Sequence, residues 1–263
     1  MNKIKLIIIG ISLLLLLSGC FQIDRLVRVN KDGSGTIEET VLMSQEFIDQ
    51  ISKMSGSKSE KESDEFAYHN PDNLKKEASE MGEGVKYVSS KAMKKDGRLG
   101  YFVTYSFEDV TKIRMDENPA DNMMSTSGMG KDKEKMSFGF KKGKTAELTI
   151  KFPAKEEPEE KISREKTKVS DEDIKMMKAM YNGMKISVKV EVDGKIVKTN
   201  ATWKDKNVIT LSEMDFDVIM KDEKVFQKLS DSQKMSDKDM KRSMQKFKGF
   251  KTDMNREVMV KFK

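Results

Sequence analysis

Residues 186–203 read ISVKVEVDGKIVKTNATW and carry the clearest strand pattern in the chain. Apolar and polar residues alternate over 186–192, and the alternation resumes over 197–203 after Asp193-Gly194. An alternation with a period of two is typical of a strand with one buried face, and Asp-Gly favours a tight turn between two such strands. The stretch therefore predicts a β-hairpin, which a short strand at 208–211 extends.

Glycine-containing turns also separate three other pairs of β-rich segments, and each pair predicts a hairpin. In one of these segments Tyr101, Tyr105 and Phe107 fall on the same side, so we expect this aromatic face to lie in a core. Residues 258–262 alternate in the same way and predict a final strand. The three hairpins pair 23–29 with 36–42, 85–93 with 99–107, and 136–140 with 146–152.

Helix signals are clearest at residues 70–82. Asn70 can cap a helix there, Pro71 suits its first position and Gly82 ends it. Ser44 can cap an earlier helix whose apolar residues recur at helical spacing. Further helices are predicted from Ser170 to Asn182-Gly183, around 216–229, and again from Ser236.

Together these elements predict an α+β protein, in which antiparallel sheets built from hairpins have helices packed on one side. The segment 154–169 is dense in lysine and glutamate and includes Pro158, which is typical of a solvated connection. We therefore expect two α+β lobes, residues 20–153 and residues 170–263, joined by this charged linker.

The N-terminus has the pattern of an export signal. Lys3 and Lys5 flank the start of an apolar run over residues 4–17. A run of about fourteen residues is shorter than the ~20 residues that cross a bilayer as a helix. A cleaved signal peptide of residues 1–19 is therefore favoured over an uncleaved transmembrane anchor.

The run ends in Leu17-Ser18-Gly19-Cys20, which resembles the lipobox of bacterial lipoproteins. In those proteins the cysteine sulfur receives a diacylglycerol, and the signal peptide is cut just before the cysteine. The resemblance implies that Cys20 is lipidated and that the exported body is held on the membrane by its lipid. Phe21 follows in place of the aspartate associated with inner-membrane retention, which favours the outer membrane if the organism has two membranes.

Composition restricts the classes of partner. The formal charge falls from +6 to +4 when Lys3 and Lys5 leave with the signal peptide. Lysine far outnumbers arginine, the residue that recognises phosphates and bases bidentately, so nucleic acid is not expected as a partner. Cys20 is the only cysteine, and lipid on its sulfur leaves no thiol for a disulfide.

Residues for catalysis are few. His69 is the only histidine, and without a Gly-x-Ser-x-Gly motif or a free cysteine we expect it to have a surface or capping role. The pairs Asp215 with Asp217 and Glu108 with Asp109 could do acid–base work. In a chain that is 36% charged, such pairs arise by chance, so a carboxylate-based envelope enzyme is only an alternative.

The 21 methionines raise another alternative. Thioethers are ligands for Cu(I), so a periplasmic Cu(I)-binding protein is conceivable. The competing explanation is that methionine fills irregular apolar cores, and we favour it because no histidine accompanies the clusters. The clustered residues are Met123, Met124 and Met129 in a loop, and Met176, Met177, Met180 and Met184 in the predicted third helix.

The lipobox is followed at once by a strand, Asp32-Gly33-Ser34-Gly35, a second strand and a helix, and residues 97–107 precede Glu108-Asp109-Val110. In this arrangement the chain resembles a group of bacterial envelope lipoproteins and is similar to the LppM-like lipoprotein domain. The resemblance brings no catalytic residues and implies a binding or structural role. We therefore expect a non-enzymatic, lipid-anchored lipoprotein without cofactor or metal, whose partner is an envelope protein or a lipid-like ligand.

Overall fold

The computed structural model describes residues 21–54, 69–120, 135–153, 178, 181–221 and 242–263. This part of the chain is mostly β, with thirteen strands and a few short helical segments. The predicted α+β class is therefore wrong. The reason is that the two longest described helices have only ten residues each, and the main core forms between strands of two sheets.

Eight strands form the larger sheet: β1 Phe21–Val29, β2 Gly35–Met43, β3 Lys86–Lys95, β4 Arg98–Phe107, β8 Lys185–Val192, β10 Lys204–Asp205, β11 Val208–Asp215 and β12 Phe250–Thr252. Five strands form the smaller sheet: β5 Arg114–Met115, β6 Met136–Lys141, β7 Ala146–Lys151, β9 Ile196–Thr199 and β13 Glu257–Phe262. The described helices are α1 Gln45–Met54, α2 Pro71–Glu80 and α3 Phe216–Ile219, with a 3₁₀ turn at Val110–Lys112.

Strand β1 lies in the middle of the larger sheet. The strand order is β10-β11-β8-β1-β2-β4-β3, with β12 beside β11. β1 pairs antiparallel with β2 and parallel with β8. In the smaller sheet the order is β5-β6-β7-β13-β9. The β1–β2, β3–β4 and β6–β7 hairpins confirm the three predicted from glycine turns, and β13 confirms the predicted final strand.

The hairpin predicted at residues 186–203 is wrong, because its two halves belong to different sheets. β8 pairs with β1 and β11, whereas β9 pairs with β13. At the turn, the Asp193 N–H donates to the Val29 carbonyl in the larger sheet, at 2.9 Å, and the Lys195 N–H donates to the Lys263 carbonyl, at 2.8 Å. The predicted strand at 208–211 forms as part of β11, beside β8.

Strands from both sides of the predicted linker pair in both sheets. β1 pairs with β8 in the larger sheet, and β7 pairs with β13 in the smaller one. The main apolar cluster likewise combines Val27 and Leu148 with Val190 and Phe262. The two predicted lobes are thus joined by main-chain hydrogen bonds, while residues 154–169 lie outside the described residues.

The cap signals placed the first two helices correctly. The Ser44 hydroxyl accepts from the Phe47 N–H at 3.2 Å, and the Asn70 side chain accepts from the Asp72 N–H at 2.9 Å. Gly82, with φ +135°, follows the last turn of α2. Most of the helices predicted from Ser170 onward, and the signal peptide, lie outside the described residues. Within those residues, no helix combines the length and apolar character needed to span a bilayer.

Candidate functional site

One end of the larger sheet is joined directly to the predicted lipidation site. β1 begins at Phe21, the residue after Cys20. Met43 pairs with Phe21 on one side and with Leu99 on the other, and Gln22 pairs with Lys185. The start of β1, the end of β2 and the β3–β4 turn therefore lie at the same end of the sheet, which we name the anchor end.

An apolar cluster fills the anchor end. Phe21 is 1% exposed, and its ring centroid lies 5.3 Å from that of Phe47 on α1. Tyr181 stacks on Phe216 with 4.9 Å between ring centroids. Full burial of a phenylalanine side chain, as at Phe21, stabilises a fold by about 1.5–3 kcal/mol. The buried members of the cluster are Phe21, Ile23, Val41, Met43, Ala120, Met184 and Ile186.

A pair of opposite charges lies in the buried face of β1 and β2, just beyond this cluster. Arg25 and Glu39 are directly opposite each other in the hairpin register, and each is 3% exposed. The Arg25 Nε donates to Glu39 Oε2. Along β1, Arg25 separates Ile23 of the anchor-end cluster from Val27 of the main cluster. A charged layer therefore divides the apolar interior.

Glu77 on α2 completes this layer from above the sheet. Its Oε1 lies 4.0 Å from Arg25 Nη2, and its Oε2 accepts a hydrogen bond from the Tyr105 hydroxyl at 3.2 Å. The side chain is 29% exposed. We name Arg25, Glu39 and Glu77 the buried charge layer.

The buried charge layer holds one guanidinium and two carboxylates. Burial first, and the charge of Glu39 second, raise the pKa of Glu77 to about 7, against the attraction of Arg25. Burial also raises the pKa of Tyr105, which therefore stays a neutral donor to Glu77. The layer thus has no net charge when Glu77 is protonated and one negative charge when it is ionised.

Sequence reasoning missed the buried charge layer. A signal was present, because Arg25 falls on the same side of β1 as Ile23 and Val27, and Glu39 falls on the same side of β2 as Ile37. Charged residues at positions that the alternation assigns to a core are unusual unless they are paired. The pairing with Glu77 depends on how α2 packs on the sheet, for which the local sequence gives no signal.

His69 is half-buried beside the start of α2. Its Nε2 lies 2.7 Å from the Ser90 hydroxyl, which in turn lies 2.7 Å from the Tyr87 hydroxyl. Its ring centroid is 6.0 Å from that of Tyr101. The His69 side chain thus connects the residues just before α2 to strand β3.

The predicted acid pairs each bind separate partners. Asp215 caps α3 by accepting from the Val218 N–H at 3.2 Å, and it also binds Lys185 Nζ at 3.1 Å. Asp217 accepts from the Gly183 N–H. In the other pair, Glu108 binds Lys86 Nζ at 2.9 Å and Asp109 caps the 3₁₀ turn through the Thr111 N–H at 2.9 Å.

The methionines proposed as Cu(I) ligands lie outside the described residues, apart from Met184. Met184 is 7% exposed and packs in the anchor-end cluster, as expected for a core residue. Cys20 also lies outside the described residues. Within the described part of the chain, no group of three or more histidine, cysteine, aspartate or glutamate residues could hold a metal ion.

Comparison with known proteins yields one weak structural similarity. No protein-family model matches the chain, and no curated protein matches it. The NMR structure of the folded domain of the LppM protein of Mycobacterium tuberculosis is similar with a TM-score of 0.31 and 12% sequence identity. The match covers 73% of this chain and 81% of that chain. A likeness at this level assigns no function to the chain.

Proposed function

We propose that the protein is a bacterial lipoprotein, anchored through lipid on Cys20 at the exported side of a membrane, with a non-catalytic binding or structural role in the envelope. The observation that carries the proposal is the junction between the lipobox-like Leu17-Ser18-Gly19-Cys20 and β1. Directly after the cysteine, Phe21 is buried and is paired in the central strand. The lipid would therefore be attached to the fold itself, without a flexible tether.

A lipid on Cys20 fits the energetics of anchoring. Each buried methylene contributes about 0.8 kcal/mol, so one acyl chain binds only marginally and two or three chains hold a protein stably on a bilayer. The anchor end would then lie against the headgroups. The nine residues of β1, at about 3.3 Å per residue, would place the Asp32-Gly33 turn about 30 Å further out.

The partners of the candidate catalytic groups favour a non-catalytic role. Asp215 and Asp217 cap and brace the segment around α3, and His69 braces the entry to α2. A general acid must donate a proton to a substrate, and a general base must accept one from it. The groups named here instead bind the protein's own main chain and side chains. We expect the partner to be an envelope protein or a lipid-like ligand.

Metabolic labelling tests the anchor. Cells grown with radioactive palmitate should produce a labelled wild-type protein whose mass shows the loss of residues 1–19 and the gain of lipid. The Cys20→Ser variant should carry no label and keep its signal peptide. A Ser18→Ala variant is a matched control, because it changes a small residue in the same motif and keeps the sulfur. Label in Cys20→Ser, or none in the wild type, would contradict the proposal.

A further inference from the structure

A cleft of about 510 Å³ lies at the end of the larger sheet that is furthest from the anchor end. It opens between two turns, the one that follows β8 and the one that joins β10 to β11. β8 ends at Val192, which pairs with Val29, the last residue of β1. β11 begins at Val208, which pairs with Glu191 of β8. The lining residues are Gly194, Lys195, Ile196, Lys204, Lys206 and Asn207.

Hydrogen bonds hold both turns in place. The Val192 N–H donates to the Asn207 carbonyl at 3.0 Å, and the Asn207 side-chain amide donates to the Val192 carbonyl at 3.0 Å. Lys195 exchanges two main-chain hydrogen bonds with Lys263. Lys206 has a φ of +51°, in the left-handed region that side-chain-bearing residues rarely adopt. The positions from which the lysine side chains extend are therefore fixed.

Three lysine side chains line the cleft, and a fourth lies beside it. Lys195, Lys204 and Lys206 line it and are exposed. Lys31 passes over the adjoining turn, since its Cε lies 3.1 Å from the position that a Cβ on Gly194 would occupy.

None of these four lysines forms an ion pair with a carboxylate of the described residues. By contrast, Lys185 on the same sheet does form such a pair, with 3.1 Å between its Nζ and Asp215 Oδ2. Two acidic residues, Asp193 and Asp205, lie beside the cleft in sequence, and both are exposed. Glu191 is already held by Arg28 and the Asn207 amide. Three lysines line the cleft and Lys31 lies beside it, whereas the residues next to it in sequence supply two carboxylates, so this region has an excess of positive charge.

We propose that this lysine cleft binds a phosphate-bearing polyanion. Lysine is a compact point charge on a flexible stem and is well suited to phosphate oxygens. A phosphate carries up to two negative charges in a small volume, so several lysines can be neutralised within about 510 Å³. An acidic peptide has only one charge per carboxylate, so it brings less negative charge into the same volume.

The position of the cleft restricts the source of the phosphate. It lies about 30 Å from the anchor end along the strands, and charges are screened over about 8 Å at physiological ionic strength. Headgroups of the anchoring bilayer are therefore out of reach. Only this exclusion of bilayer headgroups rests on the proposed lipid anchor. The ligand is then a soluble phosphate compound or a phosphate polymer of the envelope.

Calorimetric titration of the mature, lipidated protein in zwitterionic detergent tests the site, with sodium tripolyphosphate as the probe. The Lys204→Gln/Lys206→Gln variant should bind tripolyphosphate at least about tenfold more weakly than the wild type, a loss of about 1.4 kcal/mol. Lys76→Gln/Lys95→Gln is the matched control, because it removes the same charge from exposed positions remote from the cleft. It should change affinity by less than about twofold.

Three further titrations make the test specific. Affinity that rises from inorganic phosphate through tripolyphosphate to long-chain polyphosphate supports a polymer as the ligand, and equal affinity for tripolyphosphate and polyphosphate supports a small soluble compound. Equal losses in the cleft and control variants, no uptake of tripolyphosphate, or tighter binding of poly-glutamate would each overturn the proposal. If the protein isolated from cells carries no lipid on Cys20 and still binds tripolyphosphate, the cleft proposal stands and only the anchor is refuted.

Discussion

At the scale of single residues, Glu77 sets a dependence of stability on pH. Its pKa is about 7 in the folded protein, above the ordinary value of 4.5. Between these two values the folded state binds more protons than the unfolded state, so the free energy of unfolding falls as pH rises from about 4.5 to 7 and is constant above that range. A shift from 4.5 to about 7 corresponds to about 3 kcal/mol.

Glu77→Gln should remove this dependence. The amide keeps an acceptor for the Tyr105 hydroxyl and does not ionise beside Glu39. The free energy of unfolding, measured in urea, should fall from pH 5 to pH 8 by about 2 kcal/mol more in the wild type than in the variant. The groups that face Glu77 from the sheet, Arg25, Glu39 and Tyr105, and its neighbour Glu80, are the same in both proteins, so the difference reports Glu77 alone. Equal losses in both proteins would refute the raised pKa.

The Arg25–Glu39 pair predicts a second effect at the residue scale. Both side chains are 3% exposed, so removal of Arg25 leaves Glu39 without its guanidinium, and removal of Glu39 leaves Arg25 with only the more distant carboxylate of Glu77. Arg25→Met and Glu39→Leu should each lower the free energy of unfolding by about 3–5 kcal/mol, whereas the double variant should recover most of that loss. A double-mutant cycle by denaturant unfolding measures the coupling. Additive losses would show that the two side chains do not interact in the folded state.

At the scale of elements, local signals located the strands and helices that depend on nearby residues. The Asp32-Gly33 and Asp96-Gly97 turns identified two hairpins, and Asn70, Pro71 and Gly82 identified α2. The pairing of β1 with β8 is parallel and joins residues far apart in sequence. Parallel pairs have no connecting turn and therefore leave no local signal. The pairing of β9 with β13 is antiparallel but also joins residues far apart in sequence, so the alternation at 186–203 predicted two strands, gave β9 the wrong partner and extended it beyond Thr199.

Gly194 is the point at which the chain crosses from the larger sheet to the smaller one. A Cβ at this position would lie 2.5 Å from the Lys263 carbonyl oxygen, and φ is +133°. Gly97 has a φ of +75° but has no atom within 4 Å of its Cβ position, which makes it a matched control. Gly97→Ala should cost about 1–2 kcal/mol for the backbone conformation alone. Gly194→Ala should cost clearly more, and equal melting temperatures for the two variants would contradict the crossover.

At the scale of the whole molecule, the two ends of the larger sheet differ in the chemistry of their side chains. The anchor end begins at Phe21, next to Cys20 in sequence, and holds a buried apolar cluster that includes Phe21. The opposite end holds the lysine cleft around Lys204 and Lys206. The sequence predicts the first end, because the lipobox-like residues 17–20 directly precede β1. It could not locate the second, because the cleft joins two turns that are brought together only by β8 and β11.

The orientation of the larger sheet on a membrane tests the proposed attachment of lipid directly to β1. Cys20 is the only cysteine and would carry lipid, so Lys95→Cys and Lys31→Cys each introduce a single thiol for a nitroxide label. Residue 95 lies at the β3–β4 turn of the anchor end, and residue 31 lies about 30 Å away along the strands. In vesicles that contain a paramagnetic headgroup lipid, we expect strong relaxation of the label at residue 95 and little at residue 31. Equal relaxation at both sites, or the reverse order, would contradict a fold anchored directly through the first residue of its central strand.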